Sequence, residues 1–164
     1  MNSPNLEFRR EPVQADLAAV REMLESTDFF YPDEVDIAVE LIQERLDKGD
    51  ASGYHFVFAT RDGAPAGYSC FGPVPATRGS YDVYWVAVHK NFQRSGLGAI
   101  LMRETESDVL AMGGKRIYVD TSGRELYDPT RRFYLAMGYK AEAVLKDFYA
   151  EGDSKYIFSK ELKP

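Results

Sequence analysis

The feature that most constrains the fold is a glycine-containing turn between a strand and a helix. A strong strand pattern covers residues 81–88, and a helical pattern begins at about Gly96. Between them the chain reads Gln93-Arg94-Ser95-Gly96-Leu97-Gly98. Free backbone N–H groups at a helix start favour a pyrophosphate, and glycines let the main chain approach phosphate oxygens closely. The segment therefore predicts a strand–turn–helix unit that binds a phosphate-bearing ligand.

Two other phosphate-binding motifs fit this turn less well. A P-loop requires Gly-x-x-x-x-Gly-Lys-Ser/Thr, which the sequence does not contain. A dinucleotide fingerprint requires a third glycine or an alanine at position 101, where the chain has Leu101. Taken alone, Gly-x-Gly also fits a simple tight turn. The complete string of strand, Gln-x-x-Gly-x-Gly and helix is more specific.

Strand and helix patterns recur along the whole chain without a linker, a repeat or a low-complexity tract. Strands are predicted at 6–9, 54–60, 67–71, 81–88, 116–120, 143–145 and 155–159, and helices at 15–25, 33–48, 96–112 and 127–137. The resulting order β-α-α-β-β-β-α-β-α-β-β is an α/β arrangement around a mixed sheet. A length of 164 residues predicts one domain, residues 1–164.

Composition argues against several classes of protein. A formal net charge of −6 disfavours binding to a nucleic-acid backbone. Cys70 is the single cysteine, and His55 and His89 lack ligand-like spacing, so we expect no metal site. The apolar stretches are too short for a membrane helix, and the polar start Met1–Asn5 lacks a signal-peptide apolar region. We therefore expect a cytoplasmic protein with neither nucleic-acid nor membrane partners.

Two motifs resemble those of the GNAT superfamily of acetyl-CoA-dependent N-acetyltransferases. The turn matches their Gln/Arg-x-x-Gly-x-Gly/Ala signature, and Phe133-Tyr134-Leu135-Ala136-Met137-Gly138-Tyr139 is similar to their Tyr-x-x-x-Gly-Phe/Tyr motif. The predicted element order is also that of the family, so the resemblance covers nearly the whole chain. It implies the GNAT fold, with a splayed central strand pair, and acetyl-CoA as co-substrate.

The resemblance also implies where acetyl-CoA binds. The strand before the turn would pair its backbone with the pantetheine arm, the turn would hold the pyrophosphate, and a polar edge after residues 116–120 would face pantetheine. The residues concerned are Val86, Ala87, Val88, Gln93, Arg94, Ser95, Gly96, Leu97, Gly98, Ala99, Thr121 and Ser122. Many family members carry an asparagine where this chain has Tyr127, which leaves that one contact open.

For the chemistry, the resemblance implies direct transfer of the acetyl group to a primary amine. Tyr134 matches the tyrosine that faces the CoA sulfur and acts as general acid, with ordinary aromatic packing as the alternative. Asp82 lies on the strand where several members carry a catalytic glutamate, so it is the candidate base; its alternative is to solvate the strand start. Tyr84 is a candidate for aligning water or substrate, or else it packs in the core.

Several points stay open at this level. The acceptor is a small-molecule or a protein amine, and the alternative function is a non-catalytic acyl-CoA sensor or an interaction domain. Family members often dimerise through their C-terminal strands, so a homodimer is one option. We expect Cys70 to be a buried hydrophobe rather than a nucleophile, and His89 to lie at the surface. Arg131 and Arg132 either reach the 3′-phosphate of CoA or lie on a solvated helix face.

Overall fold

The computed structural model describes residues 5–164, so residues 1–4 of the polar start lie outside the described part. Its strands are β1 Leu6–Arg9, β2 His55–Arg61, β3 Ala64–Pro73, β4 Ser80–Val88, β5 Arg116–Ser122, β6 Lys140–Ala150 and β7 Asp153–Glu161. Its α-helices are α1 Ala15–Ser26, α2 Pro32–Lys48, α3 Leu97–Ala111 and α4 Asp128–Ala136. The predicted element order is confirmed. Within residues 5–164 no helix is long and apolar enough to cross a membrane.

The strands form one mixed sheet in the order β1-β2-β3-β4-β5-β7-β6. β4 and β5 are parallel, whereas β1 with β2, β2 with β3, β5 with β7 and β7 with β6 are antiparallel. The parallel register covers only Ser80–Val83 and Arg116–Val119, although β4 extends to Val88 and β5 to Ser122. This early end of pairing is what a splayed central strand pair requires.

The chain packs into two compact units, each with its own buried side chains. The first contains the chain up to Gly72 together with Trp85–Ser107, and the second contains Pro73–Tyr84 together with Asp108–Pro164. The single domain expected for residues 1–164 stays a prediction.

In the first unit, α1 and α2 bury one apolar face each against β2, β3 and the end of β4. The side chains concerned are Val20, Met23, Leu24, Val35, Ala38, Ile42, Phe56, Phe58, Tyr68, Cys70 and Ala87. Val20, Met23, Leu24 and Ile42 belong to the apolar pattern that predicted helices at 15–25 and 33–48, because they recur at helical spacing. Burial of this face stabilises the unit by the hydrophobic effect.

The ends of α2 follow from local chemistry. Pro32 occupies the first turn, where a missing N–H costs nothing, and Asp33 and Glu34 lie near the positive end of the helix dipole. The helix ends at Gly49, which has φ +60°.

The hairpin predicted between β2 and β3 is also present. Asp62 and Gly63 form its turn and have φ +51° and +81°.

In the second unit, an aromatic cluster joins α4 to β7. The Tyr134 ring lies 5.5 Å from that of Tyr139 and 6.0 Å from that of Phe158. Gly138, with φ +90°, lets the chain turn from α4 into β6. β6 is longer than the predicted 143–145, because exposed residues extend it at both ends, Lys140–Glu142 before the predicted stretch and Lys146–Ala150 after it.

Candidate active site

The end of β4 and the turn that follows it lie in the first unit. Ala87 is buried, while Val86 and Val88 are half-buried. Gly67 of β3 allows this close approach, since a Cβ there would lie 2.9 Å from the Ala87 carbonyl oxygen. The end of the strand is therefore held from one side by the backbone of β3.

The turn is braced by its own side chains. The Gln93 amide donates to the Val88 carbonyl oxygen (Nε2–O 3.3 Å), and the Ser95 hydroxyl donates to the Phe92 carbonyl oxygen (2.5 Å). His89 Nδ1 accepts the backbone N–H of Asn91 (3.1 Å) at the start of a short 3-10 helix, Lys90–Phe92. Gln93 and Ser95 thus engage the main chain of the turn, which leaves backbone N–H groups as the donors for a ligand.

Two residues of the turn adopt left-handed backbone conformations. Arg94 has φ +61° and Gly96 has φ +81°, and α3 begins directly afterwards at Leu97, which is buried and anchors the helix. Left-handed residues alternating with others can point successive N–H groups into one concavity, a known arrangement for anions. A Cβ added at Gly96 would have no neighbour within 4 Å. The turn can therefore hold a pyrophosphate against the start of α3.

Asp82 lies in the second unit, on β4 opposite Tyr118 of β5, and is half-buried. Burial and the nearby charge of Asp120 raise the pKa of its carboxyl above the usual range, whereas Lys155 lowers it. A raised pKa makes the Asp82 carboxylate a stronger proton acceptor, which suits a general base.

The other two candidate catalytic residues also lie in the second unit. Tyr84 is 39% exposed, so its ring is not packed in the core. Tyr134 is buried in α4, its ring makes an edge-to-face contact with Phe133 at 5.2 Å, and burial raises the pKa of its hydroxyl well above the usual value. Tyr134 therefore remains a neutral hydrogen-bond donor at ordinary pH.

The expected polar edge at the end of β5 is present, but its two hydroxyls differ. Ser122 Oγ donates to Asp153 Oδ1 (2.5 Å) and accepts the backbone N–H of Arg124 (3.1 Å). Thr121 Oγ1 is buried and has no hydrogen-bond partner among residues 5–164. An unpaired buried hydroxyl is costly to the fold, and because the Thr121 oxygen is closed to solvent it does not face an open ligand site.

A family model decides what this arrangement belongs to. The model for the acetyltransferase (GNAT) family matches residues 17–139, which include both motifs and parts of both units. The chain belongs to the GNAT acetyltransferase family. The family and the fold expected from the resemblance are thereby confirmed, and the protein is an acetyltransferase of that family.

Solved structures agree with this assignment. A GNAT-family protein from Desulfovibrio desulfuricans is 51% identical, with a TM-score of 0.95 over 97% of this chain and 100% of that chain. An aminoglycoside 6′-N-acetyltransferase complexed with coenzyme A has a TM-score of 0.78 at 18% identity, over 98% of each chain. The protein yncA from Salmonella typhimurium, solved with acetyl-CoA, has a TM-score of 0.74 at 17% identity, over 99% of this chain and 96% of that chain. The last two show a shared fold. No curated protein matches the sequence.

Arg131 of this GNAT acetyltransferase has structural contacts that the sequence did not reveal. The Arg131 guanidinium donates to the carbonyl oxygens of Ser122 (2.5 Å) and Arg124 (3.2 Å) and lies 5.0 Å from the Tyr156 ring centre. The interpretation of Arg131 as part of a solvated helix face is therefore wrong, because its side chain is only 13% exposed and its charge ties α4 to the end of β5, whereas contact with the 3′-phosphate of CoA stays a prediction. Arg132 is exposed, as a solvated helix face requires.

Cys70 is buried, as the sequence predicted, whereas His89 does not lie at the surface as predicted. Cys70 is fully buried, and burial raises the pKa of its thiol well above the usual value, so it is unsuited to act as a nucleophile. His89 was expected at the surface, yet its side chain is only 12% exposed. Among residues 5–164, no group of three or more His, Cys, Asp or Glu side chains could hold a metal ion.

The residues expected to act together are distributed over both units. Residues 86–99 form the strand end and turn in the first unit, whereas Asp82, Tyr84, Ser122 and Tyr134 lie in the second. Sequence reasoning missed Asp120 and Lys155, which reach Asp82 only because β4, β5 and β7 are neighbours in the sheet. No local sequence signal distinguishes these two from other surface charges.

Proposed function

We propose that this protein transfers the acetyl group of acetyl-CoA directly to a primary amine. The observation that carries the proposal is the turn after β4, with left-handed Arg94 and Gly96 followed at once by the start of α3. Two fold neighbours, solved with coenzyme A and with acetyl-CoA, support the same ligand here. Arg94 is exposed and would add one positive charge beside the phosphates.

The pantetheine arm would pair with the main chain of Val86, Ala87 and Val88, as an added strand pairs with a sheet edge. The turn from Gln93 to Ala99 would hold the pyrophosphate through its N–H groups. At the end of β5, the main chain of Thr121 and Ser122 would supply the polar edge for the arm, since the Thr121 hydroxyl is buried and Asp153 and Arg124 already engage the hydroxyl of Ser122.

Acetyl transfer needs a neutral amine, because an ammonium ion has no lone pair. In the proposed reaction Asp82 accepts one proton from the amine, directly or through water, and Tyr84 aligns that water or the amine. The nitrogen then forms a bond to the thioester carbonyl carbon as the carbon–sulfur bond breaks, and it loses its second proton to water to give the neutral amide. The backbone N–H of Val88 would stabilise the negative charge that develops on the carbonyl oxygen.

Tyr134 would act on the leaving sulfur. Its buried hydroxyl is held protonated, so it can donate a hydrogen bond as negative charge develops on the thiolate. A phenol is a weaker acid than a thiol, and burial weakens this one further. We therefore assign Tyr134 a hydrogen bond to the sulfur in the transition state; CoA leaves as a thiolate and takes its proton from water.

The acceptor class and the assembly belong to the same proposal. Fold neighbours named for aminoglycoside and for ribosomal-protein alanine acetylation show that this fold serves both small-molecule and protein amines. A net charge of −6 favours a cationic acceptor over a nucleic acid and fits a cytoplasmic enzyme. A homodimer is supported by strand β6 at the edge of the sheet, whose exposed apolar side chains are Val144, Leu145, Phe148 and Tyr149.

The test is release of free CoA thiol from acetyl-CoA across a panel of polyamines, amino acids, aminoglycosides and short peptides. Calorimetry with CoA runs in parallel on the same protein. Thiol release that depends on one amine class supports the proposal and identifies the acceptor. Tight CoA binding without release by any acceptor would favour the sensor, and absence of CoA binding would contradict the proposal as a whole.

A further inference from the structure

His89 is the residue through which the turn contacts its surroundings in three directions. Its backbone N–H donates to the Ala66 carbonyl oxygen of β3 (2.8 Å). Its Nδ1 accepts the backbone N–H of Asn91 (3.1 Å), and its Nε2 lies 3.3 Å from Glu22 Oε1 of α1. One side chain thus joins the turn to itself and to the last part of a helix.

The contacts of His89 determine where its ring proton lies. Nδ1 receives the N–H of Asn91, so it must carry a lone pair rather than a proton. In a neutral imidazole the proton is then on Nε2, where it points to the Glu22 carboxylate. His89 therefore caps the short helix Lys90–Phe92 in the way that Asn, Asp or Ser caps an α-helix.

A second link joins the same two segments. The backbone N–H of Lys90 donates to Ser26 Oγ (3.2 Å), and Ser26 Oγ donates in turn to the Met23 carbonyl oxygen (2.6 Å). Met23 is 2% exposed, so this link ends on a part of α1 that is fixed in the core. The turn is therefore fastened to a rigid helix at two consecutive residues.

We infer that His89 is a positioning residue for acetyl-CoA: through its Nδ1 cap it holds the turn in the conformation that receives the pyrophosphate. The inference rests on the proposed function, since it assigns the turn to that ligand. Without the imidazole, the Asn91 N–H loses its partner and the turn must be ordered when the ligand binds. That ordering reduces affinity, because pre-organised groups pay less entropy on binding.

Substitutions that each keep one ring nitrogen separate the two contacts of His89. Asparagine places an amide oxygen near the position of Nδ1, whereas glutamine places its amide nitrogen near that of Nε2. In His89→Ala we expect the Kd for CoA to rise about fivefold, the effect of losing a typical cap. His89→Asn should bind CoA within about twofold of the wild type, and His89→Gln should resemble His89→Ala.

Calorimetry with CoA measures these affinities, and steady-state kinetics supply a second measurement. The KM for acetyl-CoA should rise in His89→Ala, while kcat at saturating acetyl-CoA stays close to that of the wild type. A residue that only supported the fold would lower the Tm without this division between KM and kcat. His55→Ala is the matched control: His55 lies on β2 beside the Phe71 ring (5.7 Å), outside the turn, so CoA affinity should not change.

The outcomes separate the inference from the proposed function. Wild-type protein that does not bind CoA would contradict the proposed function. Wild-type protein that binds CoA, with His89→Ala equally tight, would overturn the inference alone. Equal rescue by asparagine and glutamine would overturn it as well, because it would show that the Nδ1 cap does not hold the turn. The comparison of His89→Asn with His89→Gln remains decisive even if His89→Ala fails to fold.

Discussion

Lys155 Nζ lies 3.1 Å from Asp120 Oδ2, and both residues share one sheet face with Asp82. Asp82 is opposite Tyr118 on β5, and Asp120 is two residues further along that strand. Asp120 is opposite Ile157 on β7, and Lys155 is two residues away from it. Because alternate residues of a strand face the same side, the register brings a carboxylate and an ammonium beside the candidate base.

The two charges act on Asp82 in opposite directions, which gives a pair of opposed predictions. Asp120→Asn removes a negative charge that raises the pKa of Asp82, so the acid limb of kcat/KM should move to lower pH. Lys155→Met removes a positive charge that lowers the pKa of Asp82, so the acid limb of kcat/KM should move to higher pH. Both displacements should shrink at high salt, because these groups are only partly buried.

The measurement is a pH–rate profile of each variant together with an NMR titration of the Asp82 carboxyl carbon. Lys163→Met is the control, since Lys163 is exposed near the C-terminus and does not act on Asp82. If the NMR titration moves as described while the rate profile stays fixed, Asp82 is not the base. If neither moves, the charges on β5 and β7 do not influence Asp82.

Asp82 should also destabilise the folded protein at neutral pH. Its pKa is higher in the folded chain than in a model peptide, mainly because of burial, so the folded state binds protons more strongly than the unfolded state. Between the unfolded value of about 3.9 and the raised folded value, stability therefore falls as the pH rises. Asp82→Asn should raise the Tm at pH 7, and this gain should vanish as the pH approaches 3.

The same variant should lower turnover by roughly 100-fold if Asp82 is the general base. Thermal unfolding at several pH values and kcat at pH 7 are measured on one preparation. A gain in stability combined with a loss of turnover is typical of a functional residue held in an unfavourable environment. Loss of stability at pH 7 would instead show that Asp82 makes favourable contacts in its ionised form.

Tyr134→Phe should lower kcat by roughly 100-fold with little change in the affinity for CoA, because only the donor to the leaving sulfur is lost. The aromatic packing on Tyr139 and Phe158 is kept, so the Tm should change little. Since the hydroxyl stays protonated well above neutral pH, Tyr134 should cause no fall in kcat between pH 7 and 10. Tyr139→Phe, a neighbouring ring in the same cluster, is the control and should retain turnover.

Unchanged turnover in Tyr134→Phe would remove Tyr134 from the mechanism and leave aromatic packing as its role. An equal loss in Tyr139→Phe would point to a disturbed cluster rather than to a lost hydrogen-bond donor.

Short sequence patterns predicted most of the fold. The Asp62-Gly63 hairpin depends on two adjacent residues with positive φ, and the stop of α2 depends on one, Gly49; the sequence shows all three directly. The turn at Gly96 was predictable for the same reason. In each case a few adjacent residues determine the backbone, so the pattern can be recognised without the partner strands.

The contacts that the sequence did not predict join residues that are far apart along the chain. β7 lies between β5 and β6, so Lys155 meets Asp120 across a pairing that no local pattern encodes. Similarly, the His89 ring contacts Glu22, which belongs to a helix much earlier in the chain. Such contacts depend on which elements become neighbours, and that depends on the packing of the whole unit.

Gly96 offers a test of the turn, with Gly152 as a control that has the same φ. Gly96 and Gly152 both have φ +81°, and a Cβ at either would meet no atom within 4 Å. Alanine at either site should therefore cost the same left-handed strain, about 1 kcal/mol, and lower the Tm equally. Only at Gly96 does the methyl group enter the turn assigned to the pyrophosphate, so only Gly96→Ala should raise the Kd for CoA, by about tenfold. Equal CoA affinity in both variants would show that the main chain at Gly96 does not approach the phosphates.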